Sequence, residues 1–513
     1  MLTAAGGERG RTWACIAILA AVSIISRLPQ LLSPNLLLDG DECILGLMAR
    51  HVADARAFPL FFYGQNYGLS IVEAPAGAAS FLIGGMGAVQ LKLAMLALWT
   101  AGVAGYFLAL TRIVGTHRSF WIALVLVLTP AWGVSSMKAW SGYITAFSAT
   151  GMLLAVLVRA REGRRSAVGL IAGLLAGIIY LAQPLWLPGV LPIVAVVLFM
   201  RRQLSSALQY IAGAAAVVLA VRLVAAESVT EYWTRPEIGN RNLAGSLPDL
   251  FEQIYVNLTG SYNLWVAVDA GPFTTLTAYV WSGTLIAAVL LQVYRLATKK
   301  WLVWSHLLFV SLISTIVAGW ILLDARDGRY LLPLSAFLVM WAGIEVCDLS
   351  DRRVLGPRVR RAAVGGIVAL GALSMVEFRD FSFMWKNPRG GISEAERLGA
   401  VVGHMKMKGA RHAFSMHPLL QWQVMFYSGE EVIARWTSAA DRHPPYIKAV
   451  DRALDAGEPV AIVGYVGSTR GLEQMVANPE AIFTVDDRYF VYVGADRALL
   501  ERLNFRLPAR PGR

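Results

Sequence analysis

The sequence predicts an α-helical polytopic membrane protein of about eleven transmembrane helices, with a small C-terminal extracytoplasmic α/β domain. Three observations lead there. The 513 residues are 56% hydrophobic and only 16% charged, with a mean hydropathy of +0.54, far from the soluble average and in the range of multi-span proteins. Apolar runs of membrane-crossing length recur from Trp13 to Val376. Beyond Phe378 the chain turns mixed and charged, with short alternating runs in place of long apolar ones.

Crossing the hydrocarbon core takes about twenty apolar residues, and a lipid-facing segment must satisfy its own backbone as a helix. The spans predicted on this basis are Trp13 to Leu32, Ala88 to Leu110, Ser119 to Ser135, Trp140 to Leu157, Ala167 to Leu181, and Leu185 to Met200. Five more follow at Ala207 to Val224, Pro272 to Tyr294, Trp301 to Leu322, Tyr330 to Val346, and Ala362 to Val376. The first span has no clear small-residue cleavage site and continues into Pro29 and Leu31-Leu32, so it reads as a retained helix and not as a signal peptide.

The net charge of +12 is concentrated in short blocks between apolar runs: Arg159 to Arg165, Arg201 and Arg202, Arg295 to Lys300, and Arg352 to Arg361. Starting with the N-terminus inside, every block falls on the cytoplasmic side. The expected location is therefore the cell inner (plasma) membrane, multi-pass, N-terminus cytoplasmic, C-terminal domain extracytoplasmic. A basic balance of this pattern is no footprint for nucleic acid. The domain division is 1–377 for the membrane module, with a first outer loop at 33–87, and 378–513 for the α/β domain. Within that loop, Val72 to Met86 is apolar but short, and spanning there would turn Arg112, His117 and Arg118 outward, so it reads as a helix at the outer interface. In the last domain, helical periodicity covers Glu394 to Met407 and Tyr446 to Leu454. β-like runs fall at His412 to Ser415, Val460 to Tyr465, Ala481 to Val485 and Tyr489 to Val493. Cys15, Cys43 and Cys347 suggest neither a disulfide framework nor a metal spacing.

The chemistry gathers at the outer face. Asp39-Gly40-Asp41-Glu42 places three carboxylates just beyond the first span. Asp39 and Glu42 have capping-box spacing, and acids are favoured in a first helical turn, so a structural role accounts for part of the run. The same face holds Arg50, Arg56, Lys92, Lys138, Arg222, Asp324, Arg326, Asp327 and Arg329, and ionisable groups near membrane depth are costly unless paired or used. Acids and bases at one interface suit a ligand with an anionic head and an apolar tail. In Arg326-Asp327-Gly328-Arg329-Tyr330 an arginine either snorkels to the interface or offers a planar, permanently charged fork to phosphate oxygens. In Phe61 to Gly68 and Glu73-Ala74-Pro75, the phenylalanines suit an aromatic belt, while Tyr63, Gln65, Asn66 and Glu73 carry hydrogen-bonding groups of the kind a sugar site needs.

Asp41-Glu42, Tyr63-Gly64-Gln65, Glu73-Ala74-Pro75 and Arg329-Tyr330-Leu331-Leu332-Pro333 together resemble the GT-C superfamily of glycosyltransferases. The nearest branch is family 39, the dolichyl-phosphate-mannose protein mannosyltransferases and aminoarabinose transferases. The resemblance extends in organisation from Trp13 to about Val346. It implies inverting transfer of a sugar from a polyprenyl phosphate to an acceptor on the outer face of the membrane. By that resemblance Asp41 is the general base, Glu42 its helper, Arg329 a donor-phosphate contact and Glu73 the acid before the second span. Tyr63, Gln65, Asn66, Lys138, Arg326 and Tyr330 complete the expected substrate-binding set. The chain departs from the family at Ala74, where Lys is frequent, and at Trp140-Ser141-Gly142-Tyr143, where an Asp is expected. Lys138 or Arg326 is the candidate to replace the missing phosphate contact.

The expected partners are the polyprenyl-phosphate sugar donor, a glycan, lipid or protein acceptor, and the lipid bilayer, without nucleic acid. No motif demands a cofactor, and a divalent metal is compatible with the acidic run. Transfer needs an ionised carboxylate near the acceptor proton and cations on the departing phosphate. A transporter or flippase of a lipid-linked glycan is the alternative, but it predicts inverted repeats and ionisable groups near the midplane, which the sequence does not display. Gly464 to Thr469 lacks the full phosphate-loop fingerprint and reads as an ordinary loop after a strand, and His404, His412, His417 and His443 lack metal spacing. Asn257-Leu258-Thr259 is a glycosylation sequon on the predicted outer side.

Overall fold

The computed structural model describes residues 2–34, 36, 38–162, 167–199, 204–225, 247–260, 270–322, 328–380, 392–438 and 441–508. Among these, seven helices are long and apolar enough to cross a membrane: Gly7–Leu31, Ala88–Val114, Leu204–Ala225, Pro272–Ala297, Val303–Ile321, Gly328–Asp351 and Pro357–Glu377. A bent pair, Thr116–Leu128 with Pro130–Met137, forms an eighth candidate, and three shorter apolar helices run over Tyr143–Arg159, Val168–Ala182 and Pro184–Leu198. Among the described residues, eight of the eleven predicted spans thus fall on helices or a bent pair of crossing length, the three at Trp140 to Leu157, Ala167 to Leu181 and Leu185 to Met200 fall on shorter apolar helices, and the chain is a multi-pass membrane protein.

Six helices position the site: α1 (Leu2–Leu31), α2 (Gly40–Ala53), α3 (Glu73–Gly84), α4 (Ala88–Val114), α5 (Thr116–Leu128) and α6 (Tyr143–Glu162). With twelve residues, α3 is too short to span. The break after α5 follows from Pro130, which lacks an N–H and holds Thr129 in extended backbone (φ −67°, ψ 127°). The chain turns by 62° there. A break inside a membrane frees carbonyls that must be satisfied within the protein. Arg27 of α1 supplies the donors, with Nη1 to Val127 O (2.7 Å), Nη2 to Trp132 O (3.0 Å) and Nε to Ser136 Oγ (3.1 Å). The stretch so pinned delivers Lys138 and Trp140 to the N-terminus of α2.

The C-terminal residues build a five-stranded sheet from β1 (His412–Ser415), β2 (Ile433–Arg435), β3 (Val460–Tyr465), β4 (Phe483–Val485) and β5 (Tyr489–Val493), in the order β2-β1-β3-β5-β4. β1 pairs in parallel with β2 and β3, while β5 is antiparallel to both β3 and β4. Strand alternation divides the core. Val460 and Ile462 join Phe414, Val450, Phe490 and Leu500 in one cluster, whereas Ala461 and Val463 join the larger core continuous with the membrane bundle. That second face is carried onto α2 by the helix Leu420–Tyr427. The fit is close: a Cβ at Gly46 would sit 2.3 Å from the Phe426 ring. Gln423 Nε2 donates to Leu38 O at 2.9 Å and Leu38 N to Tyr427 Oη at 3.1 Å. The helix bearing the acidic run thus lies between the membrane bundle and the sheet domain.

Candidate functional site

Asp39 and Glu42 form the capping box that their spacing predicts: Glu42 N donates to Asp39 Oδ1 at 2.9 Å, and Asp39 N donates to Glu42 Oε2 at 3.2 Å. Both carboxylates also meet lysines from distant parts of the chain. Lys138 Nζ donates to Asp39 Oδ2 (2.8 Å) and Glu42 Oε2 (2.9 Å), while Lys92 of α4 pairs with Glu42 Oε1. Ala139 N (3.2 Å) and the indole N–H of Trp140 (3.1 Å) complete the shell, on Glu42 and Asp39 respectively. Two carboxylates and two ammonium groups balance, which is what allows Glu42 to be 0% exposed and Lys138 3% exposed. Burial pushes the Asp39 carboxyl up, but the adjacent Lys138 outweighs it and leaves the group below the usual carboxylate range.

Asp41 stands apart from this quartet. Its side chain is 29% exposed, and its Oδ1 lies 3.5 Å from Nη2 of Arg442, a residue of the C-terminal domain that is 13% exposed. Oδ1 accepts no hydrogen bond among the described residues. Arg329, the expected phosphate contact, shares one neighbour with Asp41, the side chain of Tyr67. Arg329 sits in a short turn (Gly328–Leu331), its guanidinium 5.2 Å from the Trp140 ring and 5.2 Å from the Tyr330 ring, with Nη2 3.4 Å from Tyr330 Oη. Trp140 also holds Lys138 Nζ at 5.2 Å from its centroid, so one indole joins the lysine quartet to Arg329. Tyr67 marks the common ground. Burial first, then Tyr330, raises its hydroxyl above the ordinary value, opposed by Arg442 and Arg329, with Asp41 also within electrostatic reach.

The turn that carries Arg329 is held by Asn257, whose Nδ2 donates to Gly328 O at 3.0 Å. Asn257, the asparagine of the sequon, is itself 0% exposed.

Other predicted site residues are used differently. Glu73, fully buried, accepts from Gly142 N, Thr145 N and Thr145 Oγ1, each at 3.0 Å, and so caps the first turn of α6 from across the fold. Burial outweighs those bonds and pushes its carboxyl up to about 7. Tyr63 lies in the docking seam with the C-terminal domain: its hydroxyl is 2.6 Å from His51 Nδ1 and its ring stacks on His443 at 4.4 Å. His51 Nε2 is 2.9 Å from Glu430 Oε1, and Glu430 also accepts from Tyr446 (2.6 Å) and Arg56. Burial raises the Glu430 carboxyl, but the bonds from His51, Arg56 and Tyr446 hold it well below the carboxylate range. Burial also drives His443 down to about 4. Gln65 is half-buried and Asn66 exposed in the first loop, and Arg326 lies outside the described residues.

Sequence reasoning missed Arg442, Trp140 and Tyr67 as site members and the partners of Lys92. No local pattern marks Arg442. Trp140 carried a signal as a member of Trp140-Ser141-Gly142-Tyr143, the stretch where the resemblance expects an Asp. Among the described residues no group of three or more His, Cys, Asp or Glu could hold a metal. Asp39 and Glu42 are neutralised by ammonium groups and Asp41 faces a guanidinium, so these three acids do not form a metal cage among the described residues.

No protein-family model and no curated protein sequence matches the chain; the likeness is one of structure. ArnT from Cupriavidus metallidurans, solved bound to undecaprenyl phosphate, superposes with a TM-score of 0.62 at 14% identity, covering 96% of this chain and 99% of that one. The archaeal oligosaccharyltransferase AglB from Archaeoglobus fulgidus, in complex with an inhibitory peptide and a dolichol-phosphate, gives 0.51 at 13% identity, covering 90% and 70%. The chain therefore shares the fold of these structures, with apolar helices of membrane-crossing length followed by a small five-stranded sheet. Of these two structures, that of ArnT superposes with the higher TM-score and along nearly its whole length.

Proposed function

We propose that this chain is a membrane glycosyltransferase that passes a sugar, with inversion, from a polyprenyl phosphate to an acceptor on the outer face of the membrane. Asp41 is the general base on the acceptor hydroxyl. One observation carries this reading: of the three clustered carboxylates, Asp39 and Glu42 are consumed by lysines, while Asp41 is 29% exposed, its Oδ1 buried beside the Arg442 guanidinium and its Oδ2 without a hydrogen bond among the described residues. A base needs such a lone pair.

Arg329 binds the donor phosphate, with Tyr330 and Tyr67 beside it. As the sugar–oxygen bond breaks, negative charge grows on that phosphate, and a preorganised guanidinium stabilises it. Glu42, Lys138 and Glu73 support the reaction by fixing α2 and α6, not by touching substrate. The donor's prenyl tail suits a multi-span fold, and the structure of ArnT with undecaprenyl phosphate supports a lipid phosphate as ligand.

The test uses the full chain in nanodiscs with host membranes as acceptor. Undecaprenyl-phosphate-linked arabinose, mannose and glucose are offered in turn, and release of undecaprenyl phosphate is measured. Release from one donor, lost in Arg329→Ala, is expected. Absence of release from every donor, or translocation of the intact donor without release, would overturn the proposal, the second outcome in favour of a flippase.

A further inference from the structure

We infer that Arg442 of the C-terminal domain is the positioning residue for Asp41, so that the catalytic carboxylate is oriented from outside the membrane module. The inference rests on the reading of Asp41 as the base.

Arg442 is held on both sides. Before it, the Asp441 carboxylate accepts from Arg442 N at 2.6 Å and from the buried Gln421 side chain on the helix that packs on α2. After it, His443 stacks on Tyr63, and Tyr446 bonds Glu430 and lies 3.2 Å from His51 Nε2. The guanidinium lies 5.2 Å from the Phe62 ring centroid. Gly64, at φ +72°, lets the backbone pass close, since a Cβ there would meet Arg442 Cα at 2.7 Å and its Cβ and Cγ at 2.9 Å. First loop and C-terminal domain thus form one seat for this side chain.

At 3.5 Å the contact steers the carboxylate through charge: it holds the buried Oδ1 beside the guanidinium and leaves Oδ2, which has no hydrogen bond among the described residues, to accept a proton. A carboxylate at the start of a helix has several rotamers open to it, and a fixed cation selects among them. Misplacing a reacting group by about 1 Å costs on the order of 100-fold in rate. Donor binding falls to Arg329 and is separate.

The experiment compares Arg442→Ala, Arg442→Lys, Gly64→Ala and the Gly64→Ala/Arg442→Ala double variant, with Lys448→Ala as a control on the following helix. Each full chain in nanodiscs is assayed for kcat and KM on the donor that the wild type consumes, and for equilibrium binding of undecaprenyl phosphate. Arg442→Ala is expected to lower kcat roughly 10- to 100-fold while donor KM and undecaprenyl phosphate affinity stay within about twofold, with partial recovery in Arg442→Lys. Gly64→Ala, which lifts the Arg442 segment, lowers kcat alone but adds little to Arg442→Ala. Wild-type kcat in Arg442→Ala alongside an inactive Asp41→Asn overturns the inference and leaves the base assignment standing. Additive losses in the double variant, or loss of undecaprenyl phosphate binding in Arg442→Ala, overturn it as well. Wild-type turnover in Asp41→Asn overturns both.

Discussion

Replacing Lys138 with Met tests whether the buried quartet holds the site together. The ammonium donates to Asp39 at 2.8 Å and to Glu42 at 2.9 Å, and both carboxylates are nearly or fully buried. Each charge-assisted bond contributes about 1.5–3 kcal/mol, and removing one partner of a buried ion pair costs about 3–5 kcal/mol. The substitution leaves two carboxylates to one ammonium group, so one carboxyl will titrate above its ordinary value. A raised folded-state value means that the loss is small below the ordinary carboxylate pKa and grows as pH rises through the folded one. Urea or thermal unfolding of the full chain in detergent, run at pH 5 and pH 8, reads this directly. The expected gap from wild type is about 3–5 kcal/mol at pH 8, smaller at pH 5, and at least half recovered in Lys138→Met/Asp39→Asn. A gap below about 1 kcal/mol, or one independent of pH, would refute the argument.

Gly46→Leu should force the Phe426 ring off α2 at a cost of about 1–3 kcal/mol, seen as faster proteolysis of the C-terminal domain and relieved by Phe426→Ala. Asn257→Ala should leave the chain without any change in glycosylation yet weaken undecaprenyl phosphate binding several-fold, because the Gly328 turn loses its anchor. Acid should loosen the docking seam. Glu430 is held below the carboxylate range and His443 falls from 6.5 to about 4, so the docked state binds fewer protons and its stability drops as pH falls from about 6.5 toward 4. The His443 share is at most about 3 kcal/mol, and His443→Phe, which keeps the stack on Tyr63, should remove it in a pH-resolved proteolysis assay.

The apolar helices were legible because hydrophobic length is a one-dimensional signal, and the helix Glu394–Met407 and four of the five strands were legible because periodicity is. β2 escaped, being three residues long and without room for an alternating pattern. The capping box of Asp39 and Glu42 is local and could be read from spacing. Which cation meets which acid is not local. Lys92 and Lys138 stood out as charges in apolar surroundings, but their pairing depends on the break after α5 and on the α4 packing. Glu73 shows the same limit: an acid at a helix start looks like a cap for its own helix, and here it caps α6. Arg442 lies some four hundred residues from Asp41 in sequence. Only the docking of the sheet domain on α2 brings them together.

The most direct test of the account is transfer by Asp41→Asn, which keeps the shape of the side chain and removes its basicity. Full chain at wild-type expression, with undecaprenyl phosphate binding unchanged, should show transfer reduced by at least about 100-fold. Transfer at the wild-type rate would contradict the assignment of Asp41 and with it the mechanism.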